Sequence, residues 1–110
     1  MSMDNKSLQN TIESGNLGSF VVRDDSMGDT FNIGETLLME KVPESEWGEV
    51  KNYSVYLIRT NQGSVLRRIL IHREGKWTLL CDKEGIAQQP LPVEEVKELW
   101  SLKGKLNNLS

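Results

Sequence analysis

Ser26 is the side chain in this 110-residue chain whose neighbours come closest to suggesting covalent chemistry. A serine hydroxyl is a poor nucleophile until another group removes its proton. Here it follows two carboxylates, Asp24 and Asp25, in a turn after the apolar run Phe20-Val21-Val22. The residues that could act as base are scattered: Lys41 ends a strand, Lys76 and Lys83 fall in turns, and His72 precedes a hairpin turn. Spacing alone promotes none of them to partner of Ser26. The plain reading is a turn, because Asp and Ser side chains bond the local backbone there. His72 reads equally plainly as a surface residue.

The elements that would hold Ser26 are short and β-prone. Phe20 to Arg23 reads as a strand, Asp24 to Gly28 as a turn, and Thr36 to Val42 as a second strand stopped by Pro43. Glu44 to Asn52 reads as a loop or a single helical turn. Tyr53 to Arg59 is rich in β-branched and aromatic residues and predicts a strand. Thr60-Asn61-Gln62-Gly63 then joins it as a hairpin to Ser64 to Ile71. A second hairpin around Arg73 to Lys76 leads into Trp77 to Cys81. Turn-rich connections follow at Asp82 to Gly85 and at Gln89-Pro90-Leu91-Pro92, and Val96 to Leu106 predicts the last strand. Closely spaced strands with hairpin turns predict a mainly β fold, an antiparallel sheet closing on itself. Residues 1–18 are polar and read as an arm or linker with a possible short helix from Ser7 to Ile12, leaving 19–110 as the domain. Trp47, Trp77, Trp100, Met27 and Met39 read as packing residues, and Cys81 as a small buried hydrophobe.

Composition narrows the function classes. A chain of this length holds one domain that buries roughly two-thirds of its unfolded surface. A single cysteine excludes an internal disulfide and a thiolate metal cluster, and fits a reducing compartment such as the cytoplasm. No apolar run approaches the ~20 residues that span a bilayer, and the start Met1-Ser2-Met3-Asp4 lacks the order of a signal peptide. The net charge of −3, with Arg67-Arg68 the basic pair, gives no electrostatic footprint for nucleic acid. Neither a cofactor nor a small-molecule ligand is implied.

Taken in order, the segments resemble a family. Phe20-Val21-Val22-Arg23-Asp24-Asp25-Ser26-Met27, followed by Ile33-Gly34-Glu35-Thr36-Leu37-Leu38-Met39, is similar to the strand, Gly/Asp-Ser-Met, spacer, Gly-Asp and apolar strand of LexA-type and phage-repressor peptidases. Signal peptidases are more distant relatives of that pattern. Gly48 with Tyr53-Ser54-Val55-Tyr56 is similar to the family's next strand, and Val65-Leu66-Arg67-Arg68-Ile69 to its basic catalytic strand. Trp77 to Asp82 and Glu98 to Lys105 resemble the strand after the hairpin and the closing strand, so the resemblance spans about residues 19–106. It implies a LexA/signal-peptidase-like β-clip, a partial barrel of short antiparallel strands, with a Ser-Lys dyad. It also implies a homodimer, and DNA contact only through an N-terminal helix-turn-helix domain that these residues do not contain.

One departure bears directly on activity. In active members a lysine leads the basic pair, takes the serine proton and returns it, because a desolvated ammonium can lose its charge. The corresponding position here holds Arg67, and a guanidinium stays protonated in proteins. Strand alternation places Val65, Arg67 and Ile69 on one face and Leu66, Arg68 and Leu70 on the other. Aimed at Ser26, Arg67 would donate hydrogen bonds, clasping Asp24 or Asp25, and leave the hydroxyl weak; the plain alternative is a solvated strand residue. The Ala-Gly or Cys-Gly bond that active relatives cut is also missing before Ser26, where Ser14-Gly15 and Leu17-Gly18 are the nearest pairs. The leading expectation is therefore a regulatory and dimerisation domain of a LexA-like or phage-type transcriptional regulator with a degenerate peptidase centre. Two alternatives stand beside it: a self-cleaving serine endopeptidase with Ser26 as nucleophile, and an unrelated small β-barrel that binds a protein partner.

Overall fold

A computed structural model describes residues 16–106; the Ser7 to Ile12 helix candidate and the Ser14-Gly15 pair lie outside them. The chain is mainly β. Seven strands are described: β1 (Leu17–Val21), β2 (Thr36–Lys41), β3 (Val55–Thr60), β4 (Gly63–Ile71), β5 (Trp77–Leu80), β6 (Gln89–Leu91) and β7 (Glu98–Leu106). They form one antiparallel sheet in the order β1-β2-β7-β3-β4-β5-β6. The end strands β1 and β6 do not pair, so the sheet stays open instead of closing on itself. Short 3-10 turns at Gly28–Thr30, Glu44–Glu49 and Val93–Glu95 supply the described helical structure. Among the described residues no helix is long and apolar enough to cross a membrane.

Several boundaries differ from the sequence reading. β1 begins at Leu17, inside the expected arm, because Leu17 and Gly18 pair with Glu40 and Met39. The Leu17-Gly18 pair is thus strand backbone. Gln89-Pro90-Leu91, read as a connection, is edge strand β6; Pro90 is tolerated there because the outer edge needs no N–H donor. β3 starts at Val55, two residues late, because Tyr53 takes a left-handed φ of 66° and cannot continue a strand. β7 starts at Glu98, after the 3-10 turn at Val93–Glu95. Cys81 is half-buried where full burial was expected.

Two apolar clusters lie on opposite faces of the sheet. Tyr56, Ile58, Ile69, Leu79 and Leu99 build the first, under Trp47, which meets Trp77 at 6.2 Å between ring centroids. Leu37, Met39, Val55, Leu57 and Leu66 build the second, closed by Val22, Met27 and Phe31 from the loop after β1. β3 serves both, which is why Val55, Tyr56, Leu57 and Ile58 are buried in succession. Met27 and Met39 are core, as are Trp77 and, in part, Trp47 and Trp100.

The second cluster curls the sheet. By anchoring Met27 and Phe31 it brings the loop after β1 across to the start of β4 and the turn after β5. Residues 26 and 83 are thereby joined through backbone, Lys83 N–H donating to the Ser26 carbonyl at 3.1 Å.

Candidate functional site

Ser26 sits in the turn between β1 and the Gly28–Thr30 turn. Its tightness comes from Gly28, whose φ of +59° is rarely adopted by side-chain-bearing residues. A Cβ at Gly28 would lie 3.5 Å from the Lys83 backbone, so the turn packs directly on the chain after β5. Asp24 forms an Asx-type turn, its Oδ1 accepting from the Ser26 backbone N–H at 3.1 Å and from the Ser26 hydroxyl at 2.7 Å.

Arg67 arrives from the other side. Its Nη1 donates to Ser26 Oγ at 2.9 Å and to the Leu66 carbonyl at 2.9 Å. The register explains how. Ile69 bonds toward the β3 side, exchanging with Tyr53 and Ser54, so Leu66 points its carbonyl the other way. There the ladder to β5 begins only at Arg68, leaving the edge of β4 open beside residues 64–66. Arg67 wraps around this open edge to reach the serine. Ser26 and Arg67 are therefore brought together, and the hydroxyl lies in a chain running guanidinium, hydroxyl, carboxylate. The Asp24 carboxyl is held below the usual carboxylate range, chiefly by the Ser26 hydroxyl, then by the Ser26 N–H, with the Arg67 charge adding and burial opposing.

None of the other candidate bases is bonded to Ser26 Oγ. His72 Nε2 bonds the Thr78 hydroxyl at 2.7 Å, Lys76 pairs with Glu74, and Lys41 pairs with Glu98. Lys83 comes nearest through its backbone, but its Nζ is on Asp25 Oδ2 at 2.7 Å. A cleft of about 540 Å³ opens beside the serine, between β1 and the start of β4, with Ser19, Val22, Asp24, Ser64 and Leu66 among its walls. Among the described residues no cluster of three or more His, Cys, Asp or Glu side chains is placed to hold a metal ion.

Compared with protein-family models and with curated proteins, the chain matches none.

Sequence reading gave Arg68, Asp82 and Thr30 no part in this region, yet they close it. Arg68 meets Asp82 with two parallel bonds, Nε to Oδ1 at 2.8 Å and Nη2 to Oδ2 at 3.0 Å, and its Nη1 donates to the Tyr53 carbonyl at 3.0 Å. Such fork-to-fork pairing is the strong form of the arginine–carboxylate bond. Thr30 Oγ1 adds a third donor to Asp82 at 2.5 Å. These bonds tie the loop after β1 to β4 and to the turn after β5. The adjacent Arg67-Arg68 pair was the available signal: alternation sends the two side chains opposite ways, and each needed an acceptor.

Asp82 is held below the usual carboxylate range, first by the Arg68 hydrogen bonds, then by Thr30 and the Arg68 charge, against burial. A carboxyl whose folded pKa is depressed stabilises the fold above its unfolded pKa, about 4, and loses that contribution as pH falls through the folded value. Stability is therefore expected to be level from neutrality to about pH 5 and to fall below about pH 4. Asp82→Asn should lower the urea midpoint at pH 7 and flatten the acid limb; an unchanged acid limb would show that Asp82 does not carry it.

Proposed function

We propose that this chain is the regulatory and dimerisation domain of a LexA-like or phage-type transcriptional regulator, with the peptidase centre converted into a structural polar bridge. The reading rests on the ordered resemblance of five segments. The observation that carries the loss of activity is the bonding of Ser26. Its hydroxyl donates to a carboxylate that is a weaker base than usual and accepts from a cation that has no lone pair to offer. Neither neighbour takes a proton from an alcohol at neutral pH. In a β-clip-like arrangement of the curled sheet, Arg67 occupies the place of the base and preserves the geometry of the dyad without its chemistry. The domain's remaining task is to pair two DNA-binding modules across a two-fold site.

A fluorophosphonate probe tests the reading. The chain is expected to label no faster than its Ser26→Ala variant between about pH 7 and 9, and to stay intact on prolonged incubation, the range over which a general base of lysine or histidine type would act. Labelling or fragmentation that depends on Ser26 would overturn it. In that event the working-peptidase reading is favoured, with Lys83 as the base to examine, since its backbone already rests on Ser26.

A further inference from the structure

A second cleft, of about 520 Å³, shares no lining residue with the one beside Ser26. The 3-10 turn at Glu44–Glu49 brings Glu46 and Glu49 to it, and β7 brings Leu102 and Lys103. The chain leading into β3 brings Lys51, Tyr53, Ser54 and Tyr56. Its charged groups divide into spent and unspent. Arg68, which also lines it, is forked on Asp82, and Lys103 lies 3.2 Å from Glu40. The side chains of Lys51, Glu46 and Glu49 make no ion pair or hydrogen bond among the described residues.

Tyr56 carries the stronger signal. It is 6% exposed, and its hydroxyl accepts from the Lys51 backbone N–H at 2.9 Å. A phenol also has one hydrogen to donate, and this one meets no acceptor among the described residues. Buried polar groups are nearly always paired, so an unspent hydroxyl hydrogen in a cleft wall calls for an acceptor from outside the chain. The half-buried Ser54 hydroxyl is likewise unbonded among the described residues. Tyr53 adds an apolar surface. Its left-handed φ of 66° is held from both sides, the N–H donating to the Ile69 carbonyl at 2.7 Å and the carbonyl accepting from Arg68 at 3.0 Å. The Tyr53 side chain stays 55% exposed, with Val42 and Leu102 as further apolar lining.

We propose that this cleft binds a free α-amino acid with an apolar side chain. Its carboxylate takes the Tyr56 and Ser54 hydroxyl hydrogens and the Lys51 ammonium, and its own ammonium faces Glu46 and Glu49. Its side chain packs on Tyr53, Val42 and Leu102. A simple anion would meet two like charges, and a simple cation would meet Lys51 and leave both hydroxyls without an acceptor. A ligand bearing both signs answers all of these groups. The volume falls within the few hundred to ~1,000 Å³ usual for small-ligand sites. This inference does not depend on the peptidase reading, which concerns other residues.

Titration of the full chain with L-phenylalanine, followed by the amide NMR shifts of Ser54 and Tyr56, tests it. The shifts are expected to saturate with a Kd on the order of 1 mM, as suits about a dozen non-hydrogen atoms in an open cleft. Phenylpropanoate, which lacks the ammonium, and phenylethylamine, which lacks the carboxylate, should each bind at least about tenfold more weakly. Tyr56→Phe removes the hydroxyl alone and should weaken L-phenylalanine at least about tenfold. Its melting curve is recorded alongside, because the residue is buried. Glu46→Gln with Glu49→Gln, both at exposed positions, should weaken binding about threefold without touching the core. No saturable shift up to about 20 mM, far above the expected Kd, would show that water alone answers Tyr56 and overturn the site. Phenylpropanoate binding as tightly as L-phenylalanine would overturn the zwitterion. Affinity unchanged in both variants would place the amino acid elsewhere and overturn this cleft.

Discussion

The double variant Arg67→Lys with Asp24→Asn is expected to label with a fluorophosphonate about 10² to 10⁴ times faster than the natural chain near pH 9, the usual contribution of a positioned general base. Arg67→Lys alone should gain far less. A lysine at 67 would come from β4 around the same open edge, but its ammonium would meet the Asp24 carboxylate, and a nearby opposite charge holds an amine protonated. Asp24 also keeps the Ser26 hydrogen for itself through its 2.7 Å bond. Replacing it by asparagine removes the charge while leaving a side chain that can still support the turn. The amine would then sit against Val65, Leu66 and Met27, where desolvation favours its neutral form. The expected order of rates is double variant, then Arg67→Lys, then natural chain, with the single variant active only at the alkaline end. A double variant that labels no faster than the natural chain would show that residues 26 and 67 are not placed to work as nucleophile and base. Rates equal in the single and double variants would show that Asp24 plays no inhibitory part.

What sequence showed and what it hid follow from the range of the interactions. The strands were legible because β-branched and aromatic runs alternate with Gly, Asn and Pro turns on a scale of a few residues. Val55 to Ile58 is instructive: four apolar residues in succession mark a strand buried on both faces, and β3 is the strand that serves both clusters. β6 was hidden because three residues that include Pro90 carry little strand signal; pairing with Trp77, Thr78 and Leu79 supplies it from outside. The bond between Ser26 and Arg67 follows from no local signal in the sequence. Alternation by itself points Arg67 with Val65 and Ile69, and no local rule foresees a side chain turning around the end of a neighbour's ladder. Asp82 was hidden most completely. It reads as a turn residue, yet it accepts from Arg68, fourteen positions before it, and from Thr30, fifty-two positions before it.

These long-range polar bonds and the second cluster act on the same hinge of the fold. Met27 and Phe31 hold the loop after β1 by burial, and the bonds of Asp82, Asp25 and Ser26 fix its register against β4 and the turn after β5. The exposed pair Lys83–Asp25 contributes little by itself, as surface ion pairs do. The partly buried Arg68–Asp82 fork is the member whose loss leaves a carboxylate short of donors, and such orphaned groups cost more than the bond they made. Polar side chains thus position the site, while apolar ones supply the free energy that keeps the sheet curled.

That division of labour sets the largest stability effect in the apolar part. Ile58→Ala is expected to destabilise the chain by about 3–4 kcal/mol, within the range for large aliphatic side chains removed from a core. Ile58 has no exposed surface and stands on the central strand, paired with Val65 on one side and Leu99 on the other. Both neighbours are tied into ladders, so the backbone cannot close on the void, and the cavity term adds to the lost burial. A domain of this size shifts by roughly 4–8 °C per kcal/mol, so the melting temperature should drop by about 12 °C or more. Leu106→Ala removes almost the same volume from a residue 40% exposed at the end of β7. Measured where the chain is monomeric, it should cost less than about 1 kcal/mol, as surface positions usually do. Calorimetry on the two variants reads the contrast directly. Equal losses would mean that the central strand is not the rigid element on which both faces of the sheet are built.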